Sequence, residues 1–513
     1  MSNDPLFSFY KRARNRLRRH EPESMLTHAV NALHQVHSDG IDMLRRYQPW
    51  NILLAIKWAL QEADALSRRR PPADLNDFHA VLKVLHEIGN NIRMPSEYEH
   101  VSLFMRHLAF QQFSFQQGPS PEALVRQDLL FSLLSQDHFF SREFQRLTGA
   151  RPADFMELAF AMLTLLLKTP IPKAILRDNF NAIEPGLAPG ALDGFLQHLS
   201  KSIPELHAWL AGEEFRNMSV ADQKILPSPL LDAPLVRAAS GAYIVIFPTL
   251  LMRSLESVVY RTLRCVNPAE FGDRFGPIFE KYVGRCLTEA GLCYLDENGL
   301  KAQLPGVGKC VDFLFVEEDC NVLIDAKGIE MSARGRVSQR ADLVLQAIKN
   351  SAVKAIEQGM ATSRRIKDLP STSALTRGGS DTFLLVVTFD DLFLGSNFEF
   401  GAIFGKHLLP KLEQEYGSPL PIPLEHVFFL TIDELERLLV RMRPKTTMLV
   451  DILRYARAQD AHRHTRKFKF QQHLDSFGTQ EGRLPMLEAG LDDLCQRCIL
   501  RLSQEQRKTA TKA

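Results

Sequence analysis

The chain has 513 residues, of which 45% are hydrophobic and 24% charged. These are the proportions of an ordinary folded protein with room for about three domains of roughly 150 residues each, and they exclude a wholly disordered chain. The longest apolar runs, residues 158–167 and 243–252, have ten residues each and are too short to span a bilayer. No apolar segment typical of a secretory signal follows the basic residues at positions 11–19. We therefore expect no membrane partner.

The seven cysteines are an odd number spread along a long chain, which favours free thiols in a reducing cytoplasm. Cys495 and Cys498 form the single C-x-x-C spacing of the sequence. A zinc site would need a second such pair or nearby histidines. The spacing therefore favours two cysteines on one helix, and metal binding by them stays open as the alternative.

Residues 1–240 carry apolar residues at helical spacing and predict an all-helical N-terminal domain without internal repeats. Residues 241–265 predict a connecting strand and helix, because positions 242–247 are β-branched and aromatic. The helical domain itself indicates no chemical activity. A protein partner bound through this domain and a homo-oligomer both remain open.

The segment 266–440 has a different order of elements. Its patterns predict a helix at 271–290, strands at 311–316 and 322–327, a helix at 337–358, strands at 383–389 and 427–431, and a helix at 433–439. This order predicts an α/β fold with a mixed central sheet flanked by helices on both faces. Residues 441–513 predict a short, basic helical C-terminal region.

Two of the predicted strands carry three charged side chains in otherwise apolar sequence. The first contains Asp312, and the second contains Asp325 and Lys327. A strand covered on both faces reads as a nearly continuous apolar run, and an uncompensated charge there costs several kcal/mol. Each carboxylate therefore needs a cation, a metal ion or a proton beside it.

Strand geometry predicts that these three side chains meet. Side chains alternate along a strand, so Asp325 and Lys327 share one face. If the hairpin loop has four residues, Asp312 lies opposite Asp325 with Cβ atoms about 5 Å apart. Two such carboxylates can hold a divalent cation and the lysine can stabilise negative charge, which is an arrangement for phosphodiester hydrolysis. A purely structural role stays open, with Asp325 and Lys327 at the solvent-exposed end of a buried strand and Asp312 in a salt bridge.

Asp312, followed thirteen residues later by Asp325-Ala326-Lys327, resembles the signature of the PD-(D/E)xK nuclease superfamily, which has the restriction-endonuclease-like fold. The resemblance covers about residues 266–440, with Val311 in the place of the usual proline. It implies a catalytic set of Glu280, Asp312, Asp325 and Lys327. It also implies Mg²⁺ (or Mn²⁺) bound by Asp312, Asp325, Ala326 and Glu280.

Glu280 is the residue that the resemblance places on the helix before the sheet. It lies at the margin of that helix's apolar stripe, with Gly276 and Gly284 one turn to either side, so the backbone there can approach the sheet closely. An ordinary solvated glutamate is the other interpretation. Some branches of the superfamily also carry a glutamine and a tyrosine one turn apart on the helix after the sheet hairpin. Gln346 is present here, but Asn350 stands in the place of the tyrosine.

Basic residues are concentrated after the motif. Residues 330–378 contain nine lysines and arginines, the last of them Arg377, against four acids, in a chain whose net charge is +2. The residues that we expect to contact nucleic acid are Arg334, Arg336, Arg340, Gln346 and Lys349. A second basic run with interleaved aromatics, residues 463–470, suits single strands, although a solvated helix face explains it equally well. The same holds for the N-terminal arginines.

The sequence thus predicts a divalent-metal-dependent endonuclease that hydrolyses DNA, with a role in bacterial defence or restriction suggested by analogy alone. DNA is favoured over RNA as the partner, and an RNA nuclease remains an alternative. A catalytically silent nucleic-acid-binding module of the same fold is the third reading. The intact set of Asp312, Asp325 and Lys327 argues against it, because loss of catalysis should release at least one costly buried charge.

Overall fold

The computed structural model describes residues 6–40, 43, 47–63, 69–91, 101–116, 118–306, 308–317, 319–376, 381–443, 447–478 and 482–510. The described residues form two compact units. The first comprises those of 1–96, 108–266 and 490–513, and the second those of 97–107 and 267–489. The start of the second unit falls next to the predicted boundary at 266. The chain is otherwise divided differently from the sequence prediction, because most of 441–513 belongs to the second unit and its final helix to the first.

The first unit is mainly helical, as the sequence predicts. The helices with residues in it are α1 (Phe7–Leu17), α2 (Pro22–Asp39), α3 (Pro49–Gln61), α4 (Leu75–Asn91), α5 (Val101–Gln112), α6 (Pro121–Gln127), α7 (Phe139–Thr148), α8 (Pro152–Leu166), α9 (Ala191–His198), α10 (Ile203–Leu210), α11 (Glu213–Arg216), α12 (Val220–Ile225), α13 (Pro248–Leu255), α14 (Val258–Val266) and, from residue 490 onwards, the C-terminal helix Pro485–Ala510. Proline at the first turn of α2, α3 and α8 starts each helix without losing a backbone hydrogen bond. Apolar faces of α1 to α4 then form one continuous core.

A small sheet also lies in this unit, which the prediction of an all-helical 1–240 missed. Its strands are β1 (Ala174–Ile175), β2 (Ser200–Lys201), β3 (Leu235–Arg237) and β4 (Tyr243–Val245), in the order β1-β4-β3-β2. Only β4 has a strand signal in the sequence, and it is shorter than the predicted 242–247. The other three have two or three residues, too few to show a period-2 pattern.

The second unit contains the predicted α/β fold. Its strands are β5 (Tyr294–Asp296), β6 (Phe313–Glu317), β7 (Cys320–Lys327), β8 (Asp381–Thr388) and β9 (Val427–Thr431). Its helices are α15 (Pro268–Glu289), α16 (Glu297–Gln303), α17 (Ala333–Val337), α18 (Ala341–Ala347), α19 (Lys354–Lys367), α20 (Asn397–Tyr416), α21 (Ile432–Met442), α22 (Leu449–Ala461), α23 (Gln471–Asp475) and the start of α24 (Pro485–Ala510). The expected sheet strands and their order are confirmed, while β5, α16 and α20 were not predicted.

The sheet is mixed and is covered on both faces. Its strand order is β5-β6-β7-β8-β9, with antiparallel pairs up to β7 and parallel pairs from β7 to β9. On one face, Leu323 and Leu384 share a core with Ile356 of α19. On the other face, Gly284 of α15 approaches the ring of Phe313 so closely that a Cβ would lie 3.0 Å from it. The two helices therefore enclose the central strands between them.

The predicted helix 337–358 is wrong as a single element. Ser338 has an extended backbone (ψ 133°) and separates α17 from α18, and residues 349–353 form a π-helical turn before α19 begins. The apolar spacing did predict the buried stripe of Val344, Ile348, Ala352 and Ile356. It did not show the extra residue of the π-helical turn, which changes the direction of the polar side chains that follow.

Gly359 allows α19 to lie close to β8, because a Cβ at this position would be 2.8 Å from Cδ2 of the buried Leu384. We expect Gly359→Ala to lower the melting temperature, since forced displacement in a packed core costs about 1–3 kcal/mol, more than the roughly 1 kcal/mol that alanine gains in a helix. Gly276→Ala in α15 is the matched control, because its Cβ would meet nothing within 4 Å. Thermal unfolding of both variants is the measurement. A Gly359→Ala protein as stable as Gly276→Ala would contradict the close approach.

Candidate active site

Strand register brings the two aspartates together. The ladder between β6 and β7 pairs Phe313 with Ile324, so the next position places Asp312 opposite Asp325 on the same face. One Asp312 oxygen accepts a hydrogen bond from the backbone N–H of Ala326 at 2.6 Å, which fixes this carboxylate against the end of β7. The ladder has the register that the sequence predicts, but β6 begins at Phe313, so Asp312 lies immediately before the strand and not within it.

Lys327 lies on the same face and is held by two partners. Its ammonium forms an ion pair with Asp325 and donates a hydrogen bond to Oε1 of Gln358 at 3.1 Å. Gln358, on α19, in turn donates to the carbonyl oxygen of Cys310 at 2.7 Å. The lysine is 8% exposed and Asp325 is fully buried, so the ion pair is held away from bulk water at the C-terminal end of β7.

Burial sets the protonation of the carboxylates. It raises the pKa of Asp325 to about 7, with Asp312 adding to the rise and the positive charge of Lys327 opposing it. Burial also raises the pKa of Asp312, again opposed by Lys327. Carboxyl groups with pKa values perturbed by burial and by a specific charged neighbour are concentrated at functional sites.

The donor set of this site suits a hard divalent cation. Neither oxygen of Asp325 has a hydrogen bond of ordinary geometry among the described residues, although both are buried. Its single ion-pair partner among the described residues is Lys327, and carboxylate oxygens are the ligands that Mg²⁺ and Mn²⁺ prefer. The backbone N–H of Ala326 contacts the Asp312 carboxylate, so Ala326 is part of the same site.

Glu280 lies on α15, half-buried. Burial raises its pKa, and the nearby negative charges of Asp312 and Glu297 raise it further, while Lys327 opposes them. Glu280 is therefore within electrostatic range of Asp312 and Lys327. Within the described residues, however, no group of three or more His, Cys, Asp and Glu side chains lies close enough together to hold a metal ion. Glu280 does not complete such a group with the two aspartates.

The residues expected to contact nucleic acid have different environments. Arg334, Gln346 and Lys349 are exposed. Arg336 is half-buried and paired with Glu330 at 2.9 Å and Asp390 at 3.2 Å, and Arg340 is paired with Asp342 at 2.6 Å. Acids of the same unit thus neutralise two of the predicted arginines. Arg377 lies outside the described residues.

Three residues of this unit were given no individual role by the sequence reasoning, which counted Lys354 only among the basic residues of 330–378. Gln358 and Lys354 lie one turn apart on α19, and Gln358, rather than Gln346, contacts the lysine of the motif. Arg106 of α5 is fully buried and donates to the carbonyl oxygen of Gly335 at 3.4 Å, which supports helix α17 after β7. One feature of the sequence could have indicated Gln358: it is a polar residue on a helix whose face towards the sheet is otherwise apolar.

The remaining basic and cysteine patterns have local structural partners. The N-terminal Arg14 and Arg18 pair with Glu62. In the second basic run, Lys469 pairs with Asp391 at 2.9 Å. Cys498 is buried, and its thiol lies 3.8 Å from the carbonyl oxygen of Glu157. Among the described residues, Cys498 likewise belongs to no group of three or more His, Cys, Asp and Glu side chains that could hold a metal ion.

Comparisons of the chain with family models, with curated proteins and with solved structures give no match. No helix in the described part of the chain has both the length and the apolar character needed to cross a membrane.

Proposed function

We propose that this protein is a divalent-metal-dependent endonuclease that hydrolyses phosphodiester bonds in DNA. The observation that carries the proposal is the burial of Asp325 in β7 opposite Asp312, which immediately precedes β6, with Lys327 on the same face as Asp325. A structural role would require the charges to satisfy one another fully. Within the described residues, the two aspartates together have one ion-pair partner, Lys327, and Oδ2 of Asp325 has no hydrogen-bond partner.

The finer assignment, a restriction-endonuclease-like fold of the PD-(D/E)xK superfamily, is part of this proposal. It is supported by the sequence signature together with the arrangement of its parts. The first acid precedes β6, the second acid and the lysine end β7, and Glu280 lies on the helix before the sheet. The signature residues are thus on the kinds of element that the resemblance implies.

The side chains divide the chemistry between them. Asp312 and Asp325 would hold Mg²⁺ or Mn²⁺, which when bound lowers the pKa of water and screens phosphate charge. Lys327 supplies a fixed ammonium that stabilises negative charge developing on the phosphate in the transition state. Gln358 holds that ammonium in place through its 3.1 Å hydrogen bond, and is a positioning residue.

The direct test is an assay of the purified full chain on plasmid, linear duplex and single-stranded DNA and on RNA, with Mg²⁺, Mn²⁺ or EDTA. We expect cleavage of DNA with either metal and none with EDTA. Thermal unfolding in the same buffers gives a second readout, because an ion that binds only the folded state raises the melting temperature. No cleavage of any substrate, together with no metal-dependent thermal shift, would overturn the proposal. Cleavage of RNA alone would change the assigned substrate.

A further inference from the structure

Lys354 occupies a distinct position beside the carboxylates. It is the first residue of α19, directly after the π-helical turn of residues 349–353, and its side chain is exposed. Side chains four residues apart on a helix lie on the same side. Lys354 therefore shares a side with Gln358, whose amide oxygen contacts Lys327. π-helical turns are frequent at functional sites, where they redirect side chains.

The charge of Lys354 is not neutralised locally. Within the described part of the chain, its ammonium forms no ion pair at 4.0 Å or less. Three other cations of this unit differ in this respect. Lys327 is paired with Asp325, and Arg336 and Arg340 are paired with acids of the same unit. An exposed, unpaired ammonium is available for an anion without first breaking an ion pair.

Lys354 also acts electrostatically on both aspartates. Burial dominates in raising the pKa of Asp312 and of Asp325, and Lys354 is among the positive charges that oppose the rise in each case. Its ammonium is thus within range of both carboxylates. A phosphate approaching these two acids and Glu280 would meet negative charge, and a nearby cation reduces that repulsion.

We propose that Lys354 binds a phosphate group of the nucleic acid beside the Asp312–Asp325 pair, as a second cation distinct from Lys327. This inference rests on the proposed nuclease function and names a binding residue within that site. Lys327 is buried and already bound to Asp325 and Gln358. Its role is therefore to stabilise the phosphate that reacts. Lys354 is exposed, and its role is to bind a phosphate of the strand before the reaction.

The test is fluorescence anisotropy with labelled duplex DNA in EDTA, where cleavage does not occur, over a range of salt concentrations. Lys354→Ala is expected to weaken binding by about tenfold, as loss of one charge-assisted hydrogen bond does. It should also reduce the slope of log K against log salt by about 0.9. Lys83→Ala is the matched control, because Lys83 is an exposed lysine of α4 and its loss removes the same charge. Lys354→Arg should retain most of the affinity, because it keeps the positive charge at this position.

Thermal shifts with Mg²⁺ provide the second measurement. Lys354→Ala should keep or enlarge the metal-dependent rise in melting temperature, because removal of a nearby positive charge favours cation binding. If the wild type cleaves DNA and Lys354→Ala binds DNA with unchanged affinity and salt slope, the Lys354 site is wrong and the nuclease stands. If Lys354→Ala binds more weakly but the wild type cleaves nothing, the phosphate site stands and the catalytic proposal fails. A wild-type protein that does not bind DNA overturns both the Lys354 site for DNA and the assignment of DNA as the substrate.

Discussion

Lys327→Ala is expected to lower the rate of metal-dependent cleavage by about a hundred- to a thousandfold. Loss of one preorganised charge at a developing negative charge typically costs about 2.7–4 kcal/mol in the transition state. Lys327 meets that description, because it is 8% exposed and fixed by Asp325 and Gln358. Both carboxylates remain in the variant, so the Mg²⁺-dependent rise in melting temperature should remain as well.

The same substitution removes the ion-pair partner of a fully buried carboxylate. Breaking such a pair usually lowers the free energy of unfolding by about 3–5 kcal/mol. Protonation of Asp325 reduces this loss, because burial already raises its pKa to about 7. We therefore expect the variant to be less destabilised at pH 6 than at pH 8. Initial rates and melting temperatures at both pH values, with Lys83→Ala as control, make the measurement. Wild-type rates of Lys327→Ala on every substrate that the wild type cleaves would rule out Lys327 as a catalytic residue.

The hairpin at the site was predictable because its chemistry is local. Two apolar runs with charges at Asp312, Asp325 and Lys327 specify one register, since a slip by one residue would bury a different set of side chains. The ladder from Phe313–Ile324 onwards has that register. The complete burial of Asp325 also follows from its position in a central strand between β6 and β8.

The helix after the hairpin was less predictable because its geometry depends on tertiary packing. Apolar spacing at Val344, Ile348 and Ile356 is compatible with one straight helix, and the break at Ser338 and the π-helical turn leave that spacing almost unchanged. The polar residues change direction, so Gln358 rather than Gln346 reaches the lysine. The assignment of residues 97–107 and 490–513 to the two units depends likewise on contacts distant in sequence, which periodicity does not reveal.

Asp325→Asn is expected to abolish metal-dependent cleavage and to change the response of stability to pH. A carboxyl group whose pKa is higher in the folded than in the unfolded state stabilises the fold at low pH, and this contribution is lost as pH rises. For Asp325 the loss begins near the ordinary value of 3.8 and is complete above about 7. The full difference is on the order of 4 kcal/mol. In EDTA, Asp325→Asn should therefore gain stability relative to the wild type as the pH rises from 5 to 8.

The comparison must be made between variants, because other groups titrate in the same range. Burial lowers the pKa of His107 and of His198 to about 4, and such histidines contribute stability that increases with pH, opposite in sign to Asp325. Asp342→Asn provides the matched control, since it removes an exposed aspartate from α18. Adding Mg²⁺ at pH 8 should raise the melting temperature of the wild type and of Asp342→Asn but not that of Asp325→Asn. A Mg²⁺ response in Asp325→Asn equal to that of the wild type would exclude Asp325 as a metal ligand. A pH-independent difference from the wild type would show that Asp325 does not titrate between these pH values in the folded protein.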